Sequence, residues 1–285
     1  MTVKIIQDRL DEYVCRTELE EENAIKEIVQ EVCLAGLSRS GFFKEAAFQG
    51  GTCLRILYRL PRFSEDLDFV LKEPNSHFKL TRHLDHMKEE LAIYGFNFEI
   101  QDRSQGAGPI LKAFLKDESW GRILSFQHVR KLGSTVKKLQ IKIEVDANPP
   151  LGSGYEDKIL DFPLLFSVIA QDLPSLFAGK SHALLCRPYL KGRDWYDFLW
   201  YARKKIRPNM LLLGDALHQV GPWKAQKITV DEAWYRRTLS EKIRKIDWQE
   251  ARRDIQRFLK PQDLASLDYW STDFFLAQME GLMSL

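Results

Sequence analysis

Apolar residues recur at helical spacing near the start of the chain. In EENAIKEIVQEVCLAGLSRSG, Ile25, Ile28, Val29 and Val32 fall three and four apart on one stripe. Residues 1–47 therefore read as helical, with Gly36 or Gly41 available to end a helix. A further helix is expected from about Thr52, where Leu54, Leu57 and Tyr58 share a side. Pro61 stops it, because the residue before a proline is driven out of the helical region. The period then changes. DLDFVL (66–71), FNFEIQD (96–102), GRILSFQHV (121–129) and LQIKIEVDA (139–147) read as strands, and a helical segment over 77–94 separates the first two. Asn148-Pro149-Pro150 closes the last strand, and GSG at 152–154 reads as a linker. Beyond Asp161 almost everything reads as helix: 167–190, 192–205, one long stretch over 231–259, and 264–282. The pattern predicts an α/β (α+β) fold. A core with a short mixed sheet and N-terminal helices would occupy 1–150, and a helical C-terminal domain 155–285.

Composition narrows the class. With 285 residues, 45% hydrophobic and 29% charged, the chain is neither collagenous, low-complexity nor wholly disordered. No apolar run approaches the ~18–20 residues of a membrane helix. Asp8, Asp11 and Glu12 interrupt what would be the apolar core of a secretory signal. A cytoplasmic protein with no membrane association is expected. Cys15, Cys33, Cys53 and Cys186 form no CxxC pair and read as buried thiols. The net charge of +2 hides an uneven distribution. Residues 8–31 hold nine acids and three bases, and 187–207 seven bases and two acids. Such asymmetry suits a polyanion-binding face, and solvated helix faces produce it too.

The chemistry concentrates in FQGGTCLRILYRLPRFSEDLDF (48–69). Gly50-Gly51-Thr52 opens a helix, and two adjacent glycines let backbone N–H groups approach a phosphate at a positive helix end. Thr52 can cap that helix or donate to a phosphate oxygen. Asp66 and Asp68 flank Leu67, so on a strand their carboxylates project from one face; a shared Mg²⁺ would relieve their repulsion, whereas a solvated strand end would need no ion. On IKIEVDA, Lys142, Glu144 and Asp146 share one face, and Glu144 or Asp146 could complete a metal triad. Three carboxylates facing a glycine-lined anion site suit two-metal phosphoryl or nucleotidyl transfer. Gly179-Lys180-Ser181 is no P-loop, since Pro174 stands at the first-glycine position and no strand is expected before it. His83 and His86 read as a solvated pair rather than zinc ligands. Trp195, Trp200, Tyr201, Trp223, Trp234 and Tyr235 could stack on single-stranded RNA or pack a helical core.

Gly50-Gly51-Thr52, thirteen residues, then Asp66-Leu67-Asp68 resembles the signature of the DNA polymerase β-like nucleotidyltransferases. The fuller GGTxLRxLYxxxRxSxDLDF resembles the AbiEii/AbiGii toxin branch, the toxin half of type IV toxin–antitoxin pairs. A second block, Lys180, Ala183, Leu184, Arg187, Arg193-Asp194 and Asp197, is similar to that branch as well. The resemblance implies a nucleotidyltransferase core. Gly50, Gly51 and Thr52 would hold the β- and γ-phosphates of an NTP, and Asp66 and Asp68 would ligate Mg²⁺. Glu144, or Asp146, would position or deprotonate the attacking hydroxyl. Lys180 would neutralise triphosphate charge, and Asp194 would hold Lys180 or Arg187 in place or act on the acceptor. Arg62 and Ser64 would be phosphate or structural contacts. The implied function is Mg²⁺-dependent transfer of a nucleotide from an NTP to an acceptor, tRNA or other RNA or a protein, by a toxin with a cognate antitoxin. The other readings are a non-catalytic, nucleotide-gated module that binds an antitoxin, and a small-molecule nucleotidyltransferase of the aminoglycoside type.

Overall fold

The computed structural model describes residues 2–104, 108–117, 120, 124–129, 138–224 and 226–284. The chain falls into two compact units. The first comprises Met1–Arg59, Phe63–Pro149 and Glu156–Ala170; the second comprises Leu60–Arg62, Pro150–Tyr155 and Gln171–Leu285.

In the first unit, helices α1 (Thr2–Asp11) and α2 (Glu18–Arg39) precede the short strand β1 (Ala46–Gln49), which runs directly into α3 (Gly50–Tyr58). Then follow β2 (Leu67–Leu71), α4 (Thr81–Ile93), β3 (Glu99–Asp102), β4 (Ile110–Asp117), β5 (Leu139–Asp146), β6 (Tyr155–Leu160) and β7 (Phe166–Gln171). The strands form one mixed seven-stranded sheet in the order β3-β4-β5-β2-β1-β7-β6. The stripe of Ile25, Ile28, Val29 and Val32 is fully buried, as are Ile141, Ile143 and Val145 of β5. Burial of these side chains contributes ~1.5–3 kcal/mol each, which is why helix and strand periods locate the core. Gly36 lies inside α2 rather than at its end. A Cβ there would come within 2.8 Å of the Met87 backbone, so the glycine allows α2 and α4 to pack closely.

Three local expectations are corrected. AAFQ (46–49) is a strand, not helix, with its first three residues buried. Residues 124–129 form a loop instead of a strand, and 121–123 lie outside the described residues. The Glu21 carboxylate accepts the N–H groups of Gln127, His128 and Val129, satisfying backbone donors that a ladder would otherwise bind. SVIAQ (167–171) belongs to β7, because the helix start lies after it: Asp172 caps from its side chain to Ser175 N at 2.9 Å, with Pro174 in the first turn. His83 is likewise buried, between Phe42 and Phe78, and burial pushes its pKa down to about 4.

The second unit is helical: α5 (Leu173–Cys186), α6 (Gly192–Arg203), α7 (Met210–Gln219), α8 (Glu232–Ile243), α9 (Trp248–Ile255) and α10 (Thr272–Met283). The long helix expected over 231–259 is broken at Asp247, whose carboxylate accepts the N–H groups of Gln249 and Glu250 and starts α9. Its aromatics mostly build the core. Trp248 stacks on Phe275 at 4.0 Å and Phe177 on Tyr201 at 4.2 Å, and Trp195, Trp200, Tyr201 and Tyr235 are all buried. These four are therefore not platforms for RNA bases. Among the described residues no helix is long and apolar enough to cross a membrane.

Candidate active site

The site of the first unit starts at the junction of β1 and α3. Gln49, the residue before α3, is extended (φ −140°, ψ −174°) and offers no side-chain cap; its amide donates instead to the Phe69 carbonyl at 3.1 Å. The first N–H groups of α3 thus meet no capping side chain, and the partial positive charge of the helix end is concentrated at Gly50 and Gly51. Gly50 has φ +81°, and a Cβ there would collide with Oδ2 of Asp68. Glycine is required twice over, by backbone conformation and by the carboxylate lying against it. Thr52 is buried and its hydroxyl donates to the Asp66 carbonyl, tying the helix start to the entry of β2. The rest of that entry is held by Gln30, whose Nε2 donates to the carbonyls of Ser64 (3.2 Å) and Glu65 (2.9 Å).

Strand register decides which acid of β5 lies beside Asp68. Asp68 lies opposite Gln49 on one side and opposite Glu144 of β5 on the other, in a parallel pairing that puts their side chains on one face. Asp66 precedes the first residue of β2, and with Asp68 it acts electrostatically on Lys142. Asp146 lies further along, opposite Val70, and accepts the Asn148 N–H at 2.9 Å in the turn that follows β5. Burial pushes the Asp146 carboxyl up. Glu144 sits between two lysines, with Lys142 Nζ at 2.8 Å and Lys112 Nζ at 3.3 Å. Burial would raise its pKa, but Lys142 and then Lys112 outweigh it and hold the carboxyl below the usual range. The Lys142 ammonium is pulled the opposite way. Burial would lower it, and Glu144, with Asp66 and Asp68 beyond, holds it above the ordinary lysine value. Beside these groups opens a cleft of about 330 Å³, lined among others by Asp66, Lys142, Gln140, Phe114 and Ile25.

The donor set can be tested against a divalent cation. Asp66 and Asp68 offer hard carboxylate oxygens, which suit Mg²⁺. The field there already favours positive charge, as the Lys142 ammonium shows. Among the described residues no three His, Cys, Asp or Glu side chains stand as a ligand cluster, since Glu144 is turned to its lysines. The residues fit a cation held by the aspartate pair.

The remaining sequence-predicted residues, apart from Ser64 on the β2 entry, lie in the second unit and form a chain of alternating charges. Arg62 is 1% exposed and binds Asp197 through Nε and Nη2, both at 2.6 Å. Lys180 Nζ lies 2.8 Å from Asp197 and 3.0 Å from Asp194, and Asp194 is also bound by Arg187. Burial opposes the charged state of each buried member. The Arg62 and Lys180 charges hold Asp197 below the carboxylate range, and Asp197 and Asp194 hold Lys180 above the lysine range. Of the two roles open to Arg62, phosphate or structural contact, this placement favours the structural one, since the buried guanidinium is held by the Asp197 carboxylate. Asp197 is the residue whose role the sequence left unassigned. Its only signal was membership of the second block, one helical turn after Asp194 on α6.

A mixed sheet with a glycine-pair helix start facing strand carboxylates is the framework of a nucleotidyl-transferring enzyme. The Nucleotidyl transferase AbiEii toxin model, of type IV toxin–antitoxin systems, matches residues 32–278, and the chain belongs to this family of nucleotidyltransferases. Two solved structures from Helicobacter pylori are similar. JHP933 shares 13% identity over 93% of each chain with a TM-score of 0.55, and so shares the fold. A structure described as that of a candidate nucleotidyltransferase shares 13% identity over 90% of each chain, with a TM-score of 0.49. No curated protein matches.

Proposed function

We propose that the chain transfers a nucleotide from an NTP to an RNA acceptor, tRNA by family resemblance, with release of pyrophosphate. The observation that carries this reading is the register that sets Asp68 between the Gly50 helix start and Glu144. In this reading the N–H groups of Gly50 and Gly51 receive the β- and γ-phosphates, and Thr52 fixes the helix start against Asp66. Asp66 and Asp68 would hold Mg²⁺, which neutralises charge on the phosphates when bound. The acceptor hydroxyl attacks the α-phosphorus: an O–P bond forms, the bond from the α-phosphorus to the bridging oxygen breaks, and pyrophosphate leaves. Glu144 receives or orients the hydroxyl proton. The family motif assigns Lys180 a charge-neutralising role and Asp194 the support of that lysine, or a role on the acceptor. The network Arg62–Asp197–Lys180–Asp194–Arg187 supports this by fixing the ammonium in its charged form. A cognate antitoxin follows from the family.

The test is incubation of the protein with each labelled NTP, Mg²⁺ and total RNA, with Asp68→Ala alongside. Label in an RNA band that disappears in the variant is the expected result. Label on protein would replace the acceptor, and full activity of Asp68→Ala would overturn the assignment of the site.

A further inference from the structure

We propose that a cavity within the second unit is a docking site for single-stranded RNA, gripping one backbone phosphate and stacking a base on Tyr189. The inference rests on the RNA-acceptor reading and gives it a location. The cavity measures about 450 Å³, a size that suits a nucleotide unit. Its floor is apolar, with Leu184 and Trp195 buried in the helical core. Its rim carries Arg187, Lys191, Lys242 and Lys245 against Asp194, Asp247 and Glu250. Two of those acids are already engaged. Asp194 is bound by Lys180 and Arg187, and Asp247 caps α9. Among the described residues no carboxylate pairs with Lys191, Lys242 or Lys245. Lys242 Nζ donates to the Arg187 carbonyl at 3.3 Å, which orients one cation over the cavity.

Tyr189 supplies the second, independent feature. Its side chain is 59% exposed, in contrast to the buried tryptophans of the same unit. The Arg187 guanidinium lies 5.4 Å from the ring centroid and the Lys191 ammonium 5.8 Å. An exposed aromatic ring between cations, at the mouth of a cavity with a positive rim, combines the two elements by which single strands are held: backbone phosphates on lysines, and bases on an aromatic face. A free nucleotide could occupy the same lysines, so binding of a fluorescent NTP is measured beside that of the RNA.

The test uses the full chain and a short fluorescein-labelled single-stranded RNA of mixed sequence, with affinity read by anisotropy across a salt series. Tyr189→Ala should weaken binding about 5- to 150-fold while Tyr189→Phe retains it. Lys191→Ala combined with Lys245→Ala should flatten the slope of log affinity against log salt by roughly one to one and a half. Wild-type affinity and slope in these variants, or no binding by the wild-type chain, would overturn the inference. So would variants that lose binding of a fluorescent NTP but keep binding of the RNA. Asp68→Ala separates the two levels: it should bind the RNA as the wild type does, so loss of labelling there concerns catalysis and not the docking site.

Discussion

Replacing Asp197 by Asn keeps the shape of the side chain and removes a buried charge that contacts both Arg62 and Lys180. The carboxylate is fully buried, takes two hydrogen bonds at 2.6 Å from Arg62, and lies 2.8 Å from Lys180. Without it, a buried guanidinium loses a bidentate carboxylate, and among the described residues Lys180 keeps Asp194 as its paired acid. Removing one partner of a buried ion pair costs about 3–5 kcal/mol. At ~2–4 °C per kcal/mol this corresponds to a fall in Tm of roughly 10 °C, read by calorimetry or circular dichroism. The pH dependence follows from the direction of the shift. A carboxyl with a depressed folded-state pKa stabilises the fold above its unfolded value of about 3.9 and loses that contribution as pH falls through the lower, folded value. The gap in Tm between wild type and Asp197→Asn should therefore stay constant from neutral pH down to about pH 4 and close only below it. Lys180 gives the mirror image, a contribution lost only as pH rises above the ordinary lysine value of about 10.4. A variant that melts within ~2 °C of wild type, or a gap that closes around pH 6, would refute the charge network as the support of Lys180.

Gly50→Ala should cost about 1–2 kcal/mol from the positive φ alone and should suppress nucleotide transfer further, because the new methyl displaces the Asp68 carboxylate. Tm and activity of Gly50→Ala near wild type would contradict the contact. Glu144→Gln should lower the transfer rate about 10²- to 10⁴-fold with little change in Tm, since its lysine partners are partly exposed. Asp146→Asn should stay within a few-fold of wild type, and the reverse order would move the third acid to Asp146. Burial pushes the Glu31 carboxyl up to about 7 against the pull of Arg9. The folded chain therefore holds that proton between about pH 4.3 and 7, and stability falls by up to ~3 kcal/mol as pH rises across the window. Glu31→Gln should flatten this dependence, and an unaltered pH profile of Tm would exclude Glu31 as its source.

The candidate site and the fold around it differ in how local their signals are. The glycine pair, the spaced aspartates and the alternation of 139–145 are short-range patterns, so Gly50, Asp66 and Asp68 could be singled out from adjacent residues alone. Which of Glu144 and Asp146 lies opposite Asp68 could not be read this way, because parallel register is set by strands more than seventy positions apart in the chain. The strand at Ala46–Gln49 escaped because a short central strand is apolar on both faces and continues the helical stripe before it. Residues 124–129 were extended in composition but found their hydrogen bonds at Glu21, an acid that sequence alone presents as one of a solvated run. Arg62 and Asp197 are the clearest case. Neither segment shows by itself that the other supplies its partner, and only the tertiary structure pairs and buries the two.

The central claim is that the α-phosphoryl group, with its nucleoside, passes to the acceptor. The direct measurement is a pair of incubations with RNA, one with NTP labelled at the α-phosphate and one with NTP labelled at the γ-phosphate. The account predicts acceptor labelling from the α-label only, with the γ-label recovered in pyrophosphate. Transfer of the γ-label to the acceptor would make the enzyme a phosphoryl transferase and contradict the account.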